Sequence, residues 1–83
     1  MSDGRVPPRL TLYSRAGCHL CEIMLEAVRA ICADSGVALE VIDVDTDPHL
    51  AARHGARVPV LAVDGREVCH FHLDEAALRA ALR

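Results

Sequence analysis

The chain has 83 residues and a formal net charge of −3, with 52% apolar and 25% charged residues. A chain of this size and composition forms one small globular domain and not a disordered segment. All nine basic residues are arginines scattered along the chain, without the basic stripe that a nucleic-acid surface needs. The apolar runs are too short to span a membrane or to form a secretory signal. We therefore expect a cytoplasmic monomer that binds neither nucleic acid nor membranes.

The predicted elements follow a loose lead-in at residues 1–8, so the single domain of residues 1–83 has its core at about 9–82. A short strand at 10–13 leads into a turn at 14–17. Apolar side chains then recur at offsets of three and four, which predicts a helix that Gly36 ends. The predicted core-facing stripe of this helix comprises Leu20, Ile23, Met24, Ala27, Val28 and Ile31.

A second strand and a short helix are predicted in the middle of the chain. Residues 39–44 carry apolar side chains on both faces, which favours a strand that is covered on two sides. Asp47 followed by Pro48 is typical of a helix N-cap with proline at the first helical position. The helix should run through His54, and Gly55 should end it.

A hairpin and a final helix complete the predicted fold. Asp64-Gly65 is a two-residue turn signal between strands at 58–63 and 67–71. Asp74 is placed to cap the last helix. The resulting order, β-α-β-α-β-β-α, predicts an α/β fold with a four-stranded mixed sheet and helices on both faces. Its first two strands should be parallel because a helix connects them.

Cys18 and Cys21 form a C-x-x-C motif at the start of the first helix. The first turn of a helix leaves amide groups unpaired and carries partial positive charge, which stabilises a thiolate. The pKa of Cys18 should therefore lie below the ~8.5 of a free thiol and below that of Cys32. Cys21 lies about one turn further on, close enough to attack a mixed disulfide formed on Cys18. This pattern favours a redox pair.

Two neighbouring features leave alternatives open. A protonated His19 beside Cys18 would favour the thiolate, but His19 is equally explained as an exposed residue of the first turn. Val58-Pro59 opens the third strand, where proline is unusual. A cis bond there would expose the Val58 backbone to an extended substrate, whereas a trans proline at a sheet edge is the simpler reading.

The other two cysteines have different predicted roles. Cys32 lies 11 residues beyond Cys21 on the same helix, roughly 16 Å away at ~1.5 Å per residue, which is too far for a disulfide or a shared metal. We expect Cys32 in the core, and Cys69 to pack within its strand. A metal or iron–sulfur site at Cys18 and Cys21 would need further ligands, for which Cys69 with His70 or His72 is the candidate set.

Three segments carry a resemblance to the thioredoxin superfamily, and in particular to small glutaredoxin-like proteins. They are residues 10–21, 42–48 and 57–61, and the likeness spans most of the chain. The resemblance implies a thioredoxin-like fold in which Cys18 attacks and Cys21 resolves. It also implies that Pro59 is cis and faces the cysteine pair.

The sequence departs from typical glutaredoxins at the glutathione site. Residues 71–73, Phe-His-Leu, replace a glycine pair, and only Asp74 matches the aspartate that follows it in the family. Arg57 replaces the threonine that precedes Val-Pro, and it either pairs with a substrate carboxylate or is solvated. Side chains at Phe71 and His72 would crowd the γ-glutamyl group. Glutathione therefore stays only a candidate co-substrate, and no cofactor or metal is expected.

The favoured function is a thiol–disulfide oxidoreductase, with Cys18 and Cys21 catalytic and His19 modulating. Val58, Pro59, Arg57 and Asp74 are the candidate substrate-binding residues. Protein or low-molecular-weight disulfides would be the substrates, and glutathione or a reductase would supply electrons. Two alternatives remain at this point: a metal or iron–sulfur binding module, and a non-catalytic interaction domain on the same scaffold.

Overall fold

A computed structural model describes residues 7–83, so most of the predicted lead-in lies outside the described residues. Residues 7–83 form four strands, three α-helices and one 3₁₀ turn at Val44–Thr46 that the sequence did not predict. The elements are β1 Arg9–Ser14, α1 His19–Ser35, β2 Ala38–Asp43, α2 Pro48–His54, β3 Val60–Val63, β4 Arg66–His70 and α3 Glu75–Ala81. The predicted order of strands and α-helices is confirmed.

The four strands form one mixed sheet in the order β2-β1-β3-β4. β1 and β2 are parallel and joined by α1, while β3 is antiparallel to both β1 and β4. The parallel pair follows from the helical crossover between its strands, and the antiparallel pair from the tight turn between β3 and β4. Across the centre, Tyr13 pairs with Val60 and Leu10 with Val63.

Alternation of side chains along the strands divides the sheet into two covered faces. On one face, Leu12 of β1 and Leu61 of β3 pack against α1 and α3, and both are fully buried. On the other face, the Tyr13 ring stacks on His54 of α2 with centroids 4.2 Å apart. Helices thus cover both faces, as the sequence predicts.

The main core lies between the sheet and the pair α1 and α3. Each fully buried leucine or valine there contributes about 1.5–3 kcal/mol relative to exposure. The helical stripe supplies Met24, Val28 and Ile31, which are 1%, 0% and 7% exposed. The cluster of buried residues consists of Leu10, Leu12, Met24, Val28, Ile31, Cys32, Leu61, Val63 and Leu78.

Local signals position the ends of several elements. The Asp47 carboxylate accepts a hydrogen bond from the His49 amide, and Pro48 follows at the first helical position, as predicted. At the hairpin, Asp64 and Gly65 have φ of 51° and 85°. This is the left-handed pair that a two-residue turn requires and that glycine tolerates best.

Two expectations about packing were wrong. Ile23 was predicted in the core-facing stripe, but it is 53% exposed because buried positions of α1 are shifted toward Cys21 and Cys32. The second strand was predicted to be covered on both faces. Instead β2 is an edge strand with Val41 43% exposed, and β3 is the strand that is buried throughout. Within residues 7–83, no helix is long and apolar enough to cross a membrane.

Candidate functional site

The cysteine pair lies where β1 ends and α1 begins. Cys18 is the N-cap of α1, and a disulfide joins it to Cys21, whose Cα lies 5.2 Å away. The two sulfurs differ in accessibility: Cys18 is half-buried, whereas Cys21 is 2% exposed. An attacking reagent therefore meets Cys18 first.

The helix start directs polar groups at the Cys18 sulfur. The Cys21 amide donates a hydrogen bond to Cys18 Sγ at 3.2 Å, so the sulfur occupies the place of a capping oxygen. The 17 residues of α1 extend behind this position and place the positive end of the helix dipole at the same sulfur. Both interactions favour negative charge on the Cys18 sulfur.

His19 follows the N-cap but points into solvent. Its side chain is 83% exposed, and its Nδ1 lies 3.8 Å from the carboxylate of Glu22. This placement matches the simpler of its two sequence-based interpretations, an exposed residue of the first turn. A modulating effect of His19 on the pair stays a prediction.

The Val58-Pro59 segment lies at the same end of the sheet as the cysteine pair. Tyr13 pairs with Val60, so the residues just before β3 lie beside the end of β1, from which the chain leads to Cys18. The Val58-Pro59 peptide bond is cis, and Pro59 is buried. Its carbonyl accepts a hydrogen bond from the Phe71 amide at 2.9 Å.

Arg15 fastens the loop that leads into Cys18. Its guanidinium donates two hydrogen bonds to the Asp45 carboxylate, at 2.9 and 3.0 Å, and a third to the Gly55 carbonyl at 3.0 Å. Hydrogen bonding to Arg15 holds the pKa of Asp45 below its ordinary value. A Cβ at position 55 would lie 2.8 Å from Arg15 Nη2, so glycine there permits the approach. Sequence reasoning missed this link because it joins three distant segments.

The remaining predicted substrate-binding side chains already have partners within the protein. Arg57 donates to the Glu67 carboxylate at 2.8 Å, and His70 lies 3.1 Å from the same carboxylate oxygen. Asp74 is the N-cap of α3, and its Oδ1 accepts a hydrogen bond from the Ala77 amide at 3.0 Å. A substrate that binds Arg57 or Asp74 would therefore have to compete with the ion pair to Glu67 or with the helix cap.

The other cysteines are placed as predicted. Cys32 is 8% exposed and belongs to the main core, and burial raises the pKa of its thiol. Cys69 is half-buried and packs against that core, and burial likewise raises its pKa. Among residues 7–83, no three His, Cys, Asp or Glu side chains are grouped as metal ligands, so the candidate set of Cys69, His70 and His72 is not assembled with the pair.

An apolar cavity of about 180 Å³ adjoins the helix that carries the pair. Leu20, which lies between the two cysteines in the sequence, and the exposed Phe71 both line this cavity. Phe71 adopts a left-handed φ of 63° after β4. The sequence indicated a bulky side chain at Phe71. It did not indicate that the exposed Ile23 lines the same cavity.

Comparison with known proteins agrees with this architecture. The family model for the glutaredoxin-like domain (DUF836) matches residues 9–83. An uncharacterized protein of Mycobacterium tuberculosis is 37% identical over 78 residues, which cover 88% of this chain and 80% of that protein.

Solved structures extend the likeness to the fold. A protein of Nitrosomonas europaea, solved by solution NMR, is 39% identical with a TM-score of 0.84, and the match covers 100% of both chains. A mutant thioredoxin of Halobacterium salinarum is 28% identical with a TM-score of 0.66, covering 92% of this chain and 72% of that one.

Proposed function

We propose that this chain, which belongs to the glutaredoxin-like domain family (DUF836), is a thiol–disulfide oxidoreductase that uses Cys18 and Cys21. One observation carries the proposal. A bonded cysteine pair lies at the start of α1, with the half-buried Cys18 at the N-cap and Cys21 2% exposed. This asymmetry assigns attack to the accessible sulfur and resolution to the covered one.

The proposed reaction conserves atoms and electrons in two exchanges. The Cys18 thiolate attacks one sulfur of a substrate disulfide, and the other sulfur leaves as a thiolate that takes up a proton. The Cys21 thiol then loses its proton and attacks Cys18, which releases the second substrate thiol. Two electrons pass to the substrate, and the pair becomes the disulfide seen in the structure. A thiol reductant, either glutathione or a reductase, returns the pair to its reduced form.

The helix start supports the first exchange. The amide hydrogen bond from Cys21 to Cys18 Sγ and the dipole of α1 favour the thiolate form, which is the nucleophile. Cys32 and Cys69 do not lie at a helix start, and burial raises the pKa of both thiols. We therefore assign the nucleophile to Cys18 alone.

The substrate is proposed to be a disulfide in a protein or a small molecule, aligned by the Val58 backbone beside Pro59. The apolar cavity that Leu20 and Phe71 help to line favours substrates that carry an apolar group next to the disulfide. The disulfide form of glutathione lacks such a group, so we expect it to be a poorer substrate than an apolar peptide disulfide. Arg57 and Asp74 remain proposed substrate contacts, and a cytoplasmic location suits a cysteine pair that must be re-reduced.

Disulfide reduction by the wild type and three variants of the full chain tests the assignment. With an excess of dithiol reductant and a peptide disulfide, we expect Cys18→Ser to lose turnover completely. Cys21→Ser should form the mixed disulfide but turn over slowly, and Cys32→Ser should match the wild type as the matched control. Equal turnover in the wild type and Cys18→Ser would overturn the proposal.

A further inference from the structure

Two loops at the proposed site lie outside the paired strands. The cysteine loop, residues 15–18, connects β1 to α1 and ends on Cys18. The proline loop, residues 55–59, connects α2 to β3 and contains the cis peptide bond. The pairing of β1 with β3 ends at Tyr13 and Val60, just before it would reach either loop. The sheet alone therefore does not fix the position of one loop relative to the other.

Arg15 connects the two loops. It is the first residue of the cysteine loop, and its Nη1 donates a hydrogen bond of 3.0 Å to the carbonyl of Gly55, the first residue of the proline loop. Within residues 7–83, this is the only hydrogen bond between the two loops. The Arg15 carbonyl in turn accepts a hydrogen bond of 3.3 Å from the Cys18 amide. One residue therefore contacts the backbone of the proposed nucleophile and the backbone of the loop that would align the substrate.

Asp45 fixes the direction of the Arg15 side chain. Its two carboxylate oxygens accept hydrogen bonds from Arg15 Nε and Nη2, at 2.9 and 3.0 Å. Such a paired contact sets the plane of a guanidinium as well as its position. Asp45 is itself held in place, because its amide donates to the Asp43 carboxylate at 2.9 Å. A turn outside both loops thus directs the third hydrogen bond of Arg15 to Gly55.

We propose that Arg15 is a positioning residue for the disulfide exchange, an inference that rests on the function proposed above. The guanidinium holds the cysteine loop against the proline loop, so that a disulfide aligned on the Val58 backbone faces the Cys18 sulfur. A displacement of about 1 Å can slow a reaction by roughly a hundredfold, because the reacting atoms are no longer aligned. The Asp45 carboxylate balances the charge of Arg15, so Arg15 acts through position and not through an effect on the thiolate.

Two reactions of the reduced full chain at pH 7 separate positioning from an effect on the thiolate. Reduction of a peptide disulfide needs both loops, whereas alkylation of Cys18 by iodoacetamide needs only the helix start. In Arg15→Gln, the second-order rate constant for the peptide disulfide should fall at least about tenfold. The rate constant for alkylation of Cys18, followed by mass spectrometry, should stay within about twofold of the wild type because the helix start is unchanged.

Further variants test whether Arg15 acts through Asp45. Asp45→Asn weakens the paired contact and should also slow reduction of the peptide disulfide. The double variant should lose no more than Arg15→Gln alone, because both substitutions remove the same link, and fully additive losses would contradict this. Arg79→Gln is the matched control. It removes an exposed ion pair of 2.8 Å with Glu75 on α3 and should match the wild type in both reactions.

Cys32 reports in the same samples whether each variant is folded. It is 8% exposed, so a folded chain should be alkylated there only slowly. Ion pairs as exposed as that of Arg15 with Asp45 contribute little to stability, so both single variants should fold. If rapid alkylation of Cys32 shows that Arg15→Gln is unfolded, Asp45→Asn provides the same comparison of the two reactions.

Three results would overturn the inference. An unchanged rate with the peptide disulfide in folded Arg15→Gln would do so and would leave the proposed function intact. Equal losses in both reactions would assign to Arg15 an effect on the Cys18 thiolate instead of positioning. Failure of the wild type to reduce the peptide disulfide would overturn the proposed function itself, and the inference with it.

Discussion

Asp74 provides a test that separates a structural role from a substrate-binding role. Its Oδ1 accepts the Ala77 amide at 3.0 Å and caps α3, the helix whose Leu78 is fully buried in the main core. Replacing an N-cap aspartate by alanine costs about 1 kcal/mol, because the first-turn amide loses its acceptor. The proposed substrate contact uses the same carboxylate, so one substitution alone would confuse the two roles.

The size of the expected change in Tm follows from the length of the domain. For a domain of 60–100 residues, a loss of about 1 kcal/mol lowers Tm by roughly 4–8 °C. We expect this decrease in Asp74→Ala. Asp74→Asn keeps an oxygen acceptor, and asparagine caps helices about as well as aspartate, so its Tm should stay near that of the wild type. Thermal unfolding followed by circular dichroism measures both values.

The kinetic comparison then isolates the carboxylate. If Asp74 binds substrate, KM for a peptide disulfide should rise about tenfold in Asp74→Asn, which corresponds to ~1.4 kcal/mol of lost binding. Asp74→Ala should show the same KM together with the lowered Tm. A Tm for Asp74→Asn as low as that for Asp74→Ala would refute the capping argument, and an unchanged KM would refute the substrate contact.

Three further outcomes are expected. Burial lowers the pKa of His54 below its ordinary value of 6.5, so the unfolded chain binds the proton more readily, and stability should fall as pH drops below 6.5. Urea midpoints at pH 7.5 and 5.5 measure this, and an equal pH dependence in His54→Phe would contradict it. Ile23→Ser should change the free energy of unfolding by no more than ~0.5 kcal/mol, whereas Met24→Ala should cost about 2–5 kcal/mol; similar losses would mean that Ile23 is buried. In the reduced protein at pH 7, iodoacetamide should modify Cys18 well before Cys32, and mass spectrometry showing the reverse order would contradict the helix-start argument.

Local signals in the sequence predicted much of the fold and the centre of the site. Cys18 at the helix start, Asp47 with Pro48, the Asp64-Gly65 turn and Asp74 each act through neighbours within a few residues. Such interactions are set by the spacing of residues along the chain, so the spacing is enough to predict them.

Features that depend on long-range packing were missed or wrong. Apolar side chains on both faces of the second strand indicated burial, but the order of strands in the sheet decides which strand is at the edge, and Val41 is exposed there. Arg15 binds Asp45 and Gly55, which lie 30 and 40 residues away, so no local pattern announces it. The spacing of apolar residues along α1 wrongly placed Ile23 in the core. A helix whose buried face is turned by one position shows the same spacing of three and four residues, so the spacing alone does not decide between the two.

Trapping the mixed disulfide tests the central claim most directly. Reduced Cys21→Ser would be mixed with a peptide disulfide and digested at low pH, and the adduct located by mass spectrometry. The account predicts one peptide adduct, on Cys18, because its sulfur is the accessible one at the start of α1. An adduct found on Cys32 or Cys69 instead, or trapped on Cys21 in the Cys18→Ser chain at the same rate, would contradict it.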